Sequence, residues 1–203
     1  MQRSAAVLLL VAALLPVAFA EPVTAGPGDA SPGATYIFDK EAVFRLYLMA
    51  AEQGDAAAQV LVANMYRIGE GVQRDSAEAI RWYEKAAEQG NADAQYNLGL
   101  MHADGEGVPR SNAEAARWYR RAADQGIPDA QYDLGVQYAN GDGVPKDLVA
   151  AYVYLDLAAR NFGTADARET AAGYRDFVAA KLPPAERARA KDTAREWKPN
   201  KER

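Results

Sequence analysis

The chain has 203 residues, with 23 Lys and Arg against 28 Asp and Glu, one His and no Cys. A net charge of −5 argues against a dedicated nucleic-acid binder, and the missing cysteine removes disulfides, thiolate metal sites and a cysteine nucleophile. One His precludes a multi-histidine metal cluster, while 49% hydrophobic and 9% aromatic residues supply the apolar side chains of a folded core.

Residues 1–20 read as a signal peptide. Arg3 gives a short positive start, residues 5–15 are uncharged and apolar, and Pro16 ends the run before Ala18-Phe19-Ala20. A membrane-spanning helix needs about 20 apolar residues, more than this run offers. Cleavage is expected after Ala20, leaving no stable membrane span; an uncleaved N-terminal anchor is the other reading. Residues 21–38 form a leader whose first part, EPVTAGPGDASPGA, has too little apolar surface to order itself.

From residue 39 a 36-residue period takes over. Residues 76–111 and 112–147 align without a gap at 21 of 36 positions, and residues 40–75 join them in the same register. Each period spells two helices. One begins near Ala56, Ala92 and Pro128 and ends at the glycine pairs Gly69/Gly71, Gly105/Gly107 and Gly141/Gly143. The other begins after Asp75, Ser111 and Asp147; Glu78 and Glu114, three residues on, complete capping boxes in the first two, and Ala150 leaves the third cap weaker. Gly99 and Gly135, inside helices, predict a close approach by a neighbouring backbone. No stretch alternates with a two-residue period, so no sheet is expected.

After the repeats, Ala167, Ala171, Tyr174, Val178 and Leu182 form one helical stripe. Pro183-Pro184 breaks the chain before a last helix with Ala190, Ala194 and Trp197 on one face. Residues 164–203 read as a helical cap with a charged tail. Its last 19 residues hold seven basic and four acidic side chains, as a solvated end would.

The spacing A-x-x-x-L-G-x-x-x-x-x-G-x-G-V-P, then A-x-x-W-Y-x-x-A-A-x-Q-G, occurs as Ala94, Leu98, Gly99, Gly105, Gly107, Val108 and Pro109, then Ala115, Trp118, Tyr119, Ala122, Ala123, Gln125 and Gly126. It resembles the Sel-one-like repeat, a relative of the tetratricopeptide repeat. The resemblance covers 39–163 as a half-unit, 39–54, and three units, 55–90, 91–126 and 127–163. It departs in the first copy at Leu46, Ala63 and Gln73. It implies an all-α, right-handed superhelical solenoid of helix-turn-helix repeats, in a bacterial periplasmic or secreted setting, whose first helices line a concave groove for a protein or peptide.

At roughly 100° per residue, Leu98 and Met101 share the face of Ala94, whereas Tyr96 and Leu100 lie on the opposite side and Asn97 beside them. Carried along the repeat, the groove residues are Asn64, Arg67, Tyr96, Asn97, Leu100, Tyr132, Asp133, Val136 and Asn140. Tyr96 and Tyr132 equally fit packing between adjacent units. An acidic bias favours basic or neutral partners, and Tyr and Asn side chains also suit an envelope polysaccharide.

No catalytic, cofactor or metal site is expected. His102 occupies the position of Tyr66 and Tyr138 and reads as a packed ring without a Ser/Asp constellation. The turn acids Glu70, Glu106 and Asp142 lack the spacing of a calcium loop, and the glycine pairs lack the lysine of a phosphate loop. Some cysteine-rich exported members of the family are associated with β-lactam binding or hydrolysis. This chain has neither their cysteines nor a Ser-x-x-Lys.

Overall fold

The helices follow from caps placed at a fixed interval. In a computed structural model that describes residues 39–200, they are α1 (Lys40–Glu52), α2 (Ala56–Ile68), α3 (Ser76–Glu88), α4 (Ala92–Asp104), α5 (Asn112–Asp124), α6 (Pro128–Asn140), α7 (Leu148–Asn161), α8 (Ala165–Ala179) and α9 (Pro184–Glu196). Among the described residues there is no strand, and no helix is long and apolar enough to cross a membrane. The expected signal peptide and leader lie outside the described residues. Each helix from α1 to α7 packs on the next, and α9 packs on α7. Order thus passes along the chain chiefly from one helix to the next, the geometry of an all-α repeat solenoid.

Capping differs from expectation in an instructive way. Asp75, Ser111 and Asp147 do cap α3, α5 and α7, but the glutamates three residues on do not reach back. Glu78 and Glu114 pair instead with Arg81 and Arg117. The cap residues' own N–H groups are already taken: each donates to a carbonyl of the preceding helix, Tyr66, His102 and Tyr138, at 2.8–3.0 Å. With that donor satisfied, a capping box has nothing to close. The third cap, which has no glutamate, still accepts from both Val149 and Ala150 N–H.

Alanines let the helices approach. Ala86, Ala87, Ala122 and Ala123 are fully buried, as are Ala94, Leu98, Ala130 and Leu134 on the facing helices. In the first two units the first ring of the aromatic pair meets a cation: Lys85 Nζ lies 3.7 Å from the centroid of the buried Trp82 and the Arg121 guanidinium 5.1 Å from that of the half-buried Trp118. The second ring drives inward. A Cβ at Gly99 would stand 2.4 Å from the Tyr119 ring, so what comes close there is a side chain rather than the expected backbone. At Gly135 both arrive, Leu155 Cγ at 2.8 Å and Leu155 N at 3.2 Å.

The turn between repeats explains the second glycine of each pair. Gly143 has φ +73°, and a Cβ there would fall 2.2 Å from the carbonyl carbon of Asn112, the first residue of α5. Gly71 and Gly107 press on Lys40 and Ser76, the first residues of α1 and α3, in the same way. Each turn therefore rests on the start of a helix one repeat earlier, in space that only a glycine leaves free.

A buried polar ladder was not foreseen from the sequence. Gln59, Gln95 and Gln131 lie inside the array, and each donates its Nε2 to a helix-end carbonyl: Ala51, Ala87 and Ala123, at 3.1–3.3 Å. Their Oε1 atoms accept from Gln89, Gln125 and Asn161, at the far end of the same unit, at 2.8–3.0 Å. Every rung joins two units, and a slip of one residue would orphan buried amides.

The C-terminal end is less free than a solvated tail. Trp197 and Pro199 lie against Gly126, and the Asn200 N–H donates to Asp124 O at 2.7 Å. Among the described residues, the chain thus returns to the end of α5.

Candidate partner-binding face

Helices α2, α4 and α6 are the first helices of the three units, and α8 takes the corresponding place after the last; contacts join α2 to α4, α4 to α6 and α6 to α8 along one side of the array, with α1, α3, α5, α7 and α9 behind. The nine candidate residues sit on α2, α4 and α6, where they fall into three groups.

The first group is an ion network joining α2 to the next turn. Arg67 Nε donates to Glu106 Oε2 at 3.0 Å and its Nη1 to Asn97 Oδ1 at 3.4 Å. Glu106 also accepts from Arg74 and Ser76, each at 3.1 Å. Burial alone would raise the Glu106 pKa; the hydrogen bonds from Arg67, Arg74 and Ser76 outweigh it and hold the carboxyl below its ordinary range. Asn64 accepts from the buried Tyr83 hydroxyl at 2.6 Å. Arg67 and Asn97 therefore spend polar groups on joining units, and Asn64 spends its own on joining α2 to α3 within one unit.

The second group lies between α4, α5 and α6. The Tyr96 ring packs 5.7 Å from that of Tyr119, beside Leu100, and its hydroxyl donates to Asp133 Oδ2 at 3.2 Å. Tyr96 thus packs between units. Burial raises the Asp133 pKa to about 6; Tyr96 pulls it down, and the charges of Asp129 and Asp104 push it further up. Burial, then Asp133 and Asp129, push the Tyr96 phenol far above its usual range.

The third group opens to solvent. Tyr132 and Val136 are half-buried, and the exposed Asn140 accepts from Tyr174 OH at 3.4 Å. Tyr132 lies 6.3 Å from the Phe162 ring and 6.5 Å from the Tyr174 ring, which stacks on Phe177 at 5.8 Å. Around them lies a recess of about 760 Å³, bordered by Tyr132, Tyr174, Phe177, Asp166, Glu169 and Gly173. Reading residues 164–182 only as a cap missed it, because the apolar stripe of α8 marks the buried side and is silent about Phe177, which is 55% exposed.

At the opposite end, Leu61 and Ile68 of α2 are exposed beside Val43 and Tyr47 of α1, around a recess of about 430 Å³. Among the described residues no earlier first helix stands before α1 to cover them. His102 is half-buried in the place of the neighbouring tyrosines, its Nδ1 buried without a partner. Among the described residues no group of His, Cys, Asp and Glu could hold a metal ion.

An array that repeats every 36 residues and leaves one helix of each unit facing outward is a helical-repeat scaffold. Such folds offer an extended surface rather than an enclosed reaction chamber. The chain belongs to the Sel1 repeat family, which matches residues 41–55, 56–91, 92–127 and 128–161. A Sel1 repeat protein from Oxalobacter formigenes is similar over 63% of this chain and 95% of its own, at 39% identity and TM-score 0.57. A protective antigen of uropathogenic Escherichia coli with an SLR fold is similar over 75% of this chain at 32% identity and TM-score 0.62; the match spans 33% of that antigen. Cysteine-rich protein B of Helicobacter pylori, 24% identical with TM-score 0.51 over 65% of this chain, shares the fold. Among curated proteins, none matches. Sel1 repeats are in general protein-interaction scaffolds and typically non-enzymatic.

Proposed function

We propose that the chain is an exported interaction scaffold that holds a protein or peptide partner along the face of α2, α4, α6 and α8. The observation behind this reading is the contrast among the three groups: two are closed by contacts among the packed helices, whereas Tyr132, Val136 and Asn140 continue into an open aromatic recess on α8. Evenly spaced first helices suit an extended or helical segment, recognised by shape with a few polar anchors. Export rests on Arg3, the apolar run 5–15 and Ala18-Phe19-Ala20.

Affinity capture from cell-envelope extract tests the binding role. Wild-type protein is expected to retain a discrete partner that Tyr132→Ala combined with Asn140→Arg loses; recovery of the same proteins by both would contradict it. Sequencing of the exported form is expected to begin at Glu21.

A further inference from the structure

The array ends in a way that leaves part of α8 bare. In earlier units the next first helix covers this side, but after α8 the chain turns through Pro183 and sends α9 onto α7. The uncovered strip holds two stacked rings, Tyr174 and Phe177, with Tyr132 of α6 across from them. Two exposed carboxylates, Asp166 and Glu169, border the same recess, and among the described residues neither takes part in an ion pair. Gly173 is the anomaly. It lies in the middle of α8, has nothing within 4 Å of where its Cβ would be, and borders the recess. A glycine inside a helix sacrifices stability relative to alanine, and Gly99 and Gly135 have crowded neighbours to justify theirs. Gly173 has only the open recess.

Resting on the binding role above, we propose that this recess takes a cationic side chain, arginine or lysine, from a basic segment of the partner, held between ring faces and the carboxylates of Asp166 and Glu169. The chemistry is already displayed within the chain: Lys181 Nζ lies 3.8 Å from the centroid of the Phe177 ring. Aromatic faces and carboxylates both attract cations and repel anions. The net charge of −5 and the exposed Asp129 of α6 add a favourable longer-range field. Gly173 leaves room for the aliphatic stem to lie along the helix.

Fluorescence anisotropy with the full chain tests this, using a labelled peptide of Gly-Ser-Arg repeats and a control in which each arginine is citrulline, equal in shape but uncharged. The arginine peptide is expected to bind at least tenfold more tightly, more weakly as salt rises. Gly173→Leu is expected to lower its affinity at least tenfold while raising the melting temperature, a pairing that a merely structural glycine would not give. Asp166→Asn with Glu169→Gln should also cost at least tenfold, and Lys181→Ala, which removes the competing internal cation, should gain two- to threefold. Equal binding of the citrulline peptide, no binding of either, or indifference to Gly173→Leu would overturn the proposal. So would a soluble cell-wall glycan that binds here and ignores loss of the two carboxylates. If the Gly173→Leu chain still captures the envelope partner, this inference falls and the scaffold reading stands; if wild type captures none, the scaffold reading itself falls.

Discussion

Replacing Asp133 by asparagine should stabilise the protein, and only above weakly acidic pH. Asp133 is held between α4 and α6 with Tyr96 OH on its Oδ2 and the charges of Asp129 and Asp104 nearby, and its pKa rises from 3.8 to about 6. A raised carboxyl pKa means that the folded state favours the protonated form. Its contribution is fully present below the unfolded pKa and is lost as pH climbs through about 6. A shift of about two units corresponds to about 3 kcal/mol at most, at 1.36 kcal/mol per unit. Residual solvation and the burial cost of the amide itself reduce this to about 1–2 kcal/mol. Asparagine keeps an oxygen to accept from Tyr96. Urea titrations followed by circular dichroism at pH 4 and pH 8 should show the advantage of Asp133→Asn over wild type growing by that amount at the higher pH. The melting temperature at pH 8 should rise by roughly 3–6 °C. A difference that stays constant from pH 4 to 8, or a variant less stable than wild type at pH 8, would refute the reasoning.

Gly143→Ala should cost about 2–4 kcal/mol, because the turn needs φ +73° and Asn112 occupies the space of a Cβ; thermal denaturation measures it. Gln95→Ala should cost about 1–3 kcal/mol by removing the buried amide that bonds both Ala87 O and Gln125 Nε2. Hydrogen exchange should locate that loss at the junction of α3, α4 and α5. The lowered pKa of Glu106 gives stability that is present above the unfolded value and disappears as pH falls through the folded one. Arg67→Ala should flatten that acid limb of the stability profile, which melting curves between pH 2 and 6 would show.

The helices and their boundaries were legible because caps, glycines and apolar stripes recur every 36 residues, and a local signal seen three times over is hard to misread. The polar interior was not. Gln59, Gln95 and Gln131 carry the same periodicity, yet a glutamine beside an apolar stripe gives no local sign that it faces inward; only its partners, on the preceding unit and at the far end of its own, show it. The candidate face suffered from the same blindness. Angular position separates the inner stripe of α4 from its outer side, but a solenoid helix has a neighbour on each flank, so Tyr96 and Asn97 turned to adjacent units while Tyr132 reached the open recess. The aromatic end of that recess lies beyond the repeat, in residues whose period had dissolved.

Site-specific photo-crosslinking in the cells that make the protein tests the central claim most directly. A photoreactive phenylalanine analogue at Asn140 or Phe177, on the proposed face, should give a discrete adduct. The same analogue at exposed Glu84 or Glu88, on the back helix α3, should give none. Equal adducts from both sides, or adducts from α3 alone, would contradict the assignment of this face as the surface that meets the partner.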